Sequence, residues 1–201
     1  MEHATNEKSK LNKYLKELHL PFIRSNYENL IDNAIKKSSS YESLLFELFE
    51  GESELRYSNR ISRLLRQSKI PIEKNLEYFD LKRLQNKTMQ KVRILLEGSF
   101  LERKENVLVF GNPGSGKTHL LCAIGQELIQ HNKRVLFTTC SILVQELLIA
   151  KKDLKLSKKI KQLDKFDAVI IDDIGYVQQS REEMEVLFTL LSERYERGSL
   201  M

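Results

Sequence analysis

The chain has 201 residues, of which 41% are hydrophobic and 30% are charged, and its formal net charge is +5 at pH 7. This composition is typical of a globular protein of one or two domains. The positive charge permits contact with nucleic acid without requiring it. The first twenty residues mix Glu, Lys and His, so they predict no signal peptide. No apolar run approaches membrane-spanning length. We therefore expect a cytoplasmic protein with no membrane partner.

Cysteine and histidine are few. Cys122 and Cys140 fall in a predicted helix and at a predicted strand end, where reduced core thiols are expected. The four histidines show no metal-ligand spacing with the cysteines, so no zinc site is predicted.

The first hundred residues predict helices. Their only glycines are Gly51 and Gly98, and their only prolines are Pro21 and Pro71. An extended connection is expected at 68–80. The predicted helices are 8–18, 22–37, 41–67 and 81–97.

Strands and helices alternate from residue 106 onward, which favours an α/β fold with a parallel sheet covered by helices. We expect a helical segment at 1–98 and an α/β domain at 99–201. The predicted strands are 107–110, 134–138 and 168–172, and the predicted helices are 117–130, 141–152 and 182–197.

The stretch "NVLVFGNPGSGKTHLL" (106–121) contains the pattern G-x-x-x-x-G-K-T between a predicted strand and a predicted helix. This is the phosphate-binding loop of nucleoside triphosphate-binding proteins. Its glycines let the backbone curl around phosphate, and the following helix presents its positive end to the anion. Lys117 would reach the outer phosphates, and Thr118 would bind Mg²⁺. The residues predicted to hold the nucleotide are Gly111, Asn112, Pro113, Gly114, Ser115, Gly116, Lys117, Thr118 and His119.

The stretch "FDAVIIDDIG" supplies two carboxylates at the end of a predicted buried strand. Ligands bind at the carboxyl ends of the strands in open α/β sheets. We predict that Asp172 holds Mg²⁺ through water and that Asp173 acts as the general base on the attacking water. Lys117 and Asp173 are therefore the predicted catalytic residues. An aspartate pair that merely caps the next helix is the alternative.

Two basic features have two interpretations each. Arg56, Arg60, Arg63 and Arg66 lie on one face of a predicted helix with no acid between them. The second feature is a lysine cluster in which Asp153 is the only acid; it comprises Lys151, Lys152, Lys155, Lys158, Lys159 and Lys161. Each feature is either a solvated surface or a contact for nucleic-acid phosphates.

The order of motifs resembles the IstB-like ATP-binding proteins, which are encoded beside the transposase in bacterial insertion sequences. The resemblance covers nearly the whole chain and is strongest over 105–201. The runs that carry it are "NLEYFDLKRL", "ENVLVFGNPGSGKTHLLCAIGQELI" and "AVIIDDIGYVQQSREEMEVLFTLLSERYERGSLM". These proteins are similar to helicase loaders of the DnaC type, and both groups are AAA+ ATPases.

The resemblance implies a function that the residues alone do not. Such proteins form homo-oligomers on duplex DNA when ATP is bound, deform the DNA and recruit the transposase. Their amino-terminal segment serves in assembly and partner contacts. Asp173 stands where the family's water-activating group is usually glutamate, one methylene longer, so hydrolysis could be slow. The stretch around Leu76 and Phe79 would lie near the adenine.

Two other functions stay open, and a third is disfavoured. A helicase loader in DNA replication is closely related, and the sequence does not separate it from a transposition helper. A nucleotide-dependent scaffold would bind ATP without turnover, which the Asp173 position also allows. A small-molecule kinase needs an acceptor-binding acid or arginine after its second strand, and "FTTCS" at that place argues against it.

The carboxyl-terminal "SLM" (199–201) looks like the first residues of a fourth strand. By resemblance, that strand lies between the phosphate-loop strand and the Asp-Asp strand. The sensor residue, the arginine finger and the fifth strand of the family are not found in the 201 residues. We therefore expect poor solubility, because the phosphate-loop strand and the Asp-Asp strand would flank a gap with unpaired backbone groups. We also expect slow hydrolysis, because an arginine finger is worth about 10³–10⁵ in rate.

Overall fold

The computed structural model describes residues 2–175 and 180–201, with side chains described from residue 6 onward. The chain divides into two compact units, Met1–Arg60 and Ile61–Met201. The predicted functional boundary at residue 98 stays a prediction. The predicted connection at 68–80 contains no helix or strand beyond Ser68.

The first unit is helical. Its helices are α1 (Glu2–Glu17), α2 (Pro21–Lys37) and the first part of α3 (Tyr41–Ser68). The sequence therefore predicted these three helices correctly, although α1 begins earlier than expected. Their small core consists of Leu15, Ile23, Tyr27 and Leu48.

A buried carboxylate holds α2 against α3 in this unit. Glu52 is only 3% exposed. Its Oε2 accepts hydrogen bonds from the backbone N–H groups of Phe22 at 2.9 Å and Ile23 at 3.3 Å. Arg56 Nε lies 3.2 Å from Glu52 Oε1, and Arg56 Nη2 donates to the carbonyl of His19 at 2.8 Å. Glu52 thus satisfies two N–H groups that the start of a helix leaves without an internal acceptor.

The second unit alternates helices and strands after a short helical region. Its elements are α4 (Asn86–Glu97), α5 (Ser99–Glu102), α6 (Lys117–Gln130), β1 (Val135–Thr139), α7 (Cys140–Lys152), α8 (Leu156–Leu163), β2 (Ala168–Asp172), α9 (Arg181–Arg194) and β3 (Ser199–Leu200).

Two predicted helices need correction, and one helix was missed. The helix predicted at 81–97 is a 3₁₀ turn at Leu81–Arg83 followed by α4, because the Asp80 carboxylate accepts from Lys82 N–H at 3.0 Å and closes a separate turn. The helix predicted at 182–197 ends at Arg194. Helix α8 was not predicted, because its lysines read only as a charge cluster.

The sheet is parallel, with the order β1-β2-β3. Val135 aligns with Ala168, and Ala168 aligns with Ser199. Side chains alternate along β2: Ala168 and Ile170 join one core cluster, and Val169 and Ile171 join the other. Helix α6 contributes to the first cluster, and α7, α8 and α9 contribute to the second. This is the predicted α/β architecture with both faces of the sheet covered.

The carboxyl-terminal residues lie where the sequence predicted a strand. Met201 N–H donates to the Val169 carbonyl at 2.9 Å, and Ile171 N–H donates to the Met201 carbonyl at 2.8 Å. On the other side, Val107 N–H donates to the Leu200 carbonyl at 2.8 Å. Residues 199–201 therefore lie between β2 and the segment that begins at Val107.

The strand predicted at 107–110 is not formed. Backbone pairing with β3 reaches only Val107, and Leu108 and Phe110 are 75% and 87% exposed. Apolar sequence alone does not make a strand, because a ladder needs a neighbouring backbone along its whole length.

A buried arginine fixes the approach to β3. Arg194 is 1% exposed, and its guanidinium donates to the carbonyls of Leu163 at 2.7 Å and Phe166 at 2.6 Å. A Cβ at Gly198 would lie 2.6 Å from Arg194 Nη2, so this glycine leaves the space that the guanidinium fills. Burial lowers the pKa of Arg194.

Within the described ranges 2–175 and 180–201, none of the helices combines the length and the apolar character needed to cross a membrane.

Replacing Glu52 with Ala should lower the free energy of unfolding by about 2–4 kcal/mol, because two N–H groups and the Arg56 guanidinium lose a buried partner. Urea unfolding followed by circular dichroism measures the change. Glu54→Ala, an exposed carboxylate on the same helix, is the matched control and should change stability by less than about 0.5 kcal/mol. Equal effects of the two substitutions would contradict the role of Glu52.

Candidate functional site

The predicted phosphate-binding loop directly precedes α6. Gly116 caps the amino end of α6 with φ +89°, a backbone conformation that side-chain-bearing residues rarely adopt. A Cβ at Gly116 would also lie 3.2 Å from Phe79 Cε2. The turn therefore depends on glycine for two separate reasons. The first N–H groups of α6 have no acceptor within the helix and are available to an anion.

The Lys117 ammonium lies over this loop. Its Nζ donates to the carbonyls of Gly111 and Asn112, both at 2.9 Å. A positive charge is thus held beside the loop residues that the sequence predicts to bind phosphate. Pairing with two neutral carbonyls leaves that charge available to an anionic ligand.

Thr118 and Asp172 bring the loop and the sheet together. Thr118 Oγ1 donates to Asp172 Oδ1 at 2.9 Å. The hydroxyl is in the first turn of α6, and the carboxylate is at the carboxyl end of β2. Both residues predicted to hold the metal are therefore in contact.

The Thr118–Asp172 oxygen pair fits Mg²⁺, which is usually bound by one or two protein oxygens together with phosphates and water. No group of three or more His, Cys, Asp or Glu side chains among the described residues could hold a metal. Such a group is not needed for Mg²⁺ in a nucleotide site.

Asp173 follows directly and opens onto a cavity. Its φ is +61°, which is unusual for a residue other than glycine. The cavity measures about 860 Å³, and Gly111, Lys117, Asp172 and Asp173 line its polar part. The two predicted catalytic residues, Lys117 and Asp173, thus border the same space. Its apolar part is lined mainly by Val109, Phe110, Phe188, Leu191, Tyr195 and Met201.

The remaining predicted nucleotide-binding residues have different surroundings. Asn112, Pro113, Gly114 and Ser115 form the exposed turn of the loop, where Ser115 N–H donates to the Asn112 carbonyl at 3.2 Å. The His119 side chain instead contacts the carbonyl of Asn75 at 2.9 Å. The structure therefore describes His119 as a contact to the segment before α4, and its predicted nucleotide contact stays a prediction.

Sequence reasoning missed Gln126. Its Nε2 donates to carbonyls of the 71–74 region, at 3.0 Å from Pro71 O and 3.1 Å from Lys74 O. The available signal was the spacing from His119: seven residues make two helical turns, so both side chains lie on the same side of α6.

Both cysteines are buried, and neither is in a disulfide. Burial raises the pKa of Cys122 to about 12. This thiol lies on α6 between His119 and Gln126, and at neutral pH it stays protonated and unreactive.

The two basic features differ in how many of their side chains pair with carboxylates of the same chain. In the lysine cluster, Lys151 pairs with Glu185 at 2.9 Å and Lys159 pairs with Glu146 at 2.6 Å. In the arginine set, Arg56 pairs with the Glu52 carboxylate and donates to the His19 carbonyl. Arg60, Arg63 and Arg66 are exposed, and no acid occurs between residues 55 and 72.

Comparison with known proteins places the sequence in one group. The family described as IstB-like ATP binding protein matches residues 13–201. The chain is 38% identical over 99% of its length to an insertion sequence ATP-binding protein of Sinorhizobium fredii, of which it covers 67%. It is 34% identical to the IS5376 ATP-binding protein of Geobacillus stearothermophilus, with 96% of this chain and 77% of that protein covered. The IS21 ATP-binding protein of Pseudomonas aeruginosa is also 34% identical, over 93% of this chain and 71% of that protein.

Solved structures with a similar fold belong to replication proteins. The DnaC helicase loader matches with a TM-score of 0.57 and 22% identity, over 64% of this chain and 75% of its own. AMPPCP-bound DnaA from Aquifex aeolicus matches with a TM-score of 0.57 and 20% identity, over 66% of this chain and 42% of its own. These likenesses show the P-loop AAA+ fold.

Proposed function

The chain belongs to the family of IstB-like ATP-binding proteins, and on that premise we propose that it is an ATP-binding helper of DNA transposition. In this role it binds duplex DNA as an ATP-dependent homo-oligomer and recruits the transposase. The relatives are named as insertion sequence ATP-binding proteins, which supports the transposition role over that of a helicase loader. The likeness to DnaC supports the fold alone.

The contact between Thr118 and Asp172 carries the nucleotide part of the proposal. These residues are far apart in sequence, yet their oxygens lie 2.9 Å apart. Core packing does not need a hydroxyl and a carboxylate at this edge of the sheet. A triphosphate site does, because phosphate charge must be neutralised by a metal beside the loop.

Each polar residue of the site has a distinct role in this proposal. Lys117 leaves its loop carbonyls to contact the outer phosphates, and the loop N–H groups bind the phosphate oxygens. Thr118 would hold Mg²⁺ directly and Asp172 would hold it through water, and the ion would neutralise charge that develops on the phosphates. Asp173 orients a water molecule and accepts its proton. Leu76 and Phe79 lie near the adenine, which is supported by the closeness of Phe79 to Gly116.

The DNA contact is assigned to Arg60, Arg63 and Arg66. Their guanidinium groups are exposed and have no acid nearby in sequence. Arginine binds phosphate through two parallel N–H groups. The lysine cluster is the weaker candidate, because internal carboxylates already neutralise part of its charge.

Replacing Lys117 with Ala should weaken ATP·Mg²⁺ binding by about 10–100-fold or more, since a charge-assisted contact to phosphate is lost. Isothermal titration calorimetry measures the affinity. Lys165→Ala is the matched control, because this exposed lysine precedes the amino end of β2, opposite the site. If Lys117→Ala bound ATP as tightly as the parent, the site assignment would be wrong.

Replacing Asp173 with Asn should leave ATP affinity within about threefold of the parent and lower turnover by about 10²–10⁴. Phosphate release in the presence of duplex DNA measures turnover. Asp173→Glu should retain turnover, since it restores the carboxylate on the longer side chain usual in the family. Equal turnover of parent and Asp173→Asn would reject the general base. A parent chain that binds ATP without any turnover would favour the scaffold function.

Replacing Arg60, Arg63 and Arg66 together with Ala should weaken binding to all duplex sequences alike. The slope of log affinity against log salt concentration should flatten by up to about 2–3, because fewer counterions are released. Fluorescence anisotropy of a labelled duplex between 50 and 200 mM salt measures both quantities. The triple substitution Lys152→Ala, Lys158→Ala and Lys161→Ala removes the same charge and should leave the slope unchanged. The opposite result would transfer the DNA contact to the lysine cluster.

A further inference from the structure

Two side chains of α6 hold the segment of residues 71–80, hereafter the connecting segment. Gln126 Nε2 donates to Pro71 O at 3.0 Å and to Lys74 O at 3.1 Å. His119 Nε2 lies 2.9 Å from Asn75 O. A carbonyl oxygen only accepts hydrogen bonds, so His119 Nε2 carries the proton in this contact.

The far end of the connecting segment touches the phosphate-binding loop. The rings of Phe79 and His119 meet edge to face, with centroids 5.3 Å apart and an interplanar angle of 62°. The same Phe79 ring lies against Gly116, where a Cβ would be only 3.2 Å away. His119 thus joins the middle of the segment, its aromatic end and the loop.

The connecting segment has little structure of its own. Its internal hydrogen bonds are short-range: Lys74 N–H donates to Pro71 O and Phe79 N–H donates to Leu76 O. The Asn75 side chain accepts from Tyr78 N–H at 3.2 Å and donates to Ile72 O at 3.5 Å. A half-exposed segment of this kind loses backbone entropy when it is held in one place. Apart from the packing of Phe79 against the core, its position therefore depends on donors from outside, and α6 supplies them at Gln126 and His119.

We propose that His119 and Gln126 are positioning residues that hold the connecting segment on α6, so that Phe79 stays against Gly116 and completes the nucleotide site. The consequence for binding rests on the proposed function, in which Phe79 lies near the base. Loss of either donor frees the segment but leaves the phosphate loop unchanged. Affinity for the nucleoside part of ATP should then fall, and affinity for the phosphates alone should not.

The first test needs no ligand. Hydrogen exchange of the nucleotide-free chain should show the amides of Lys74, Tyr78 and Phe79 exchanging about five times faster or more in His119→Ala and Gln126→Ala. His119→Gln keeps an N–H donor at similar reach and should exchange like the parent. His131→Ala, at the exposed carboxyl end of α6, is the matched control and should not affect these amides. Unchanged exchange in both alanine variants overturns the proposal.

The second test compares ATP with inorganic tripolyphosphate, both with Mg²⁺, by calorimetry. His119→Ala should weaken ATP binding by about 5–20-fold and tripolyphosphate binding by less than twofold, and His119→Gln should restore ATP binding. Equal weakening for both ligands would show that His119 acts on the loop itself, which overturns the proposal. Failure of His119→Gln to restore binding, or unchanged ATP affinity in His119→Ala, overturns it as well. A parent chain that binds neither ligand refutes the proposed function, and hydrogen exchange still decides whether α6 positions the segment.

Discussion

The close packing of α6 on the sheet is the constraint on which the site depends. A Cβ at Gly125 would lie 2.8 Å from the Cδ1 atoms of both Ile170 and Ile70, so glycine lets the helix approach β2 to contact distance. This approach brings the first turn of α6 to the carboxyl end of β2, where Thr118 and Asp172 are in contact. A larger residue at position 125 would push the helix outward and separate the phosphate loop from the acidic edge. Packing in the core therefore determines the geometry of the candidate site above it.

The two faces of the sheet pack against two separate core clusters. Alternate residues of β2 point into opposite clusters, which fixes its register, because a shift by one residue would exchange the two faces. Arg194 adds a polar constraint on the α9 side by binding the carbonyls that precede β2. A buried guanidinium is costly to desolvate, and two short hydrogen bonds to carbonyls offset part of that cost. The result is a defined path from α9 into β3.

Charge is used in two ways along this chain. Some charged residues are paired within the chain. Glu52 and Arg56 join helices of the first unit, and Lys151 and Lys159 pair with carboxylates. Others stay exposed, and those are available to polyanions. Composition reports only the sum of the two groups. Side-chain contacts distinguish the two groups. Arg56 is therefore not proposed to bind DNA, because its guanidinium already pairs with Glu52 and the His19 carbonyl.

The sequence alone determined the phosphate loop, the strand at 168–172, the helix at 117–130 and the family, because each is encoded in residues close together in the chain. Tertiary structure decided the rest. Residues 107–110 read as a strand, but within the described part of the chain only Val107 has a backbone partner there. The predicted helix at 81 breaks at a turn closed by Asp80. His119 reads as part of the loop, yet its ring contacts Asn75 and Phe79, about forty positions earlier in the chain. Periodicity and motifs in the sequence indicate local geometry. Contacts between residues that are distant in sequence depend on how the segments pack together in the folded chain.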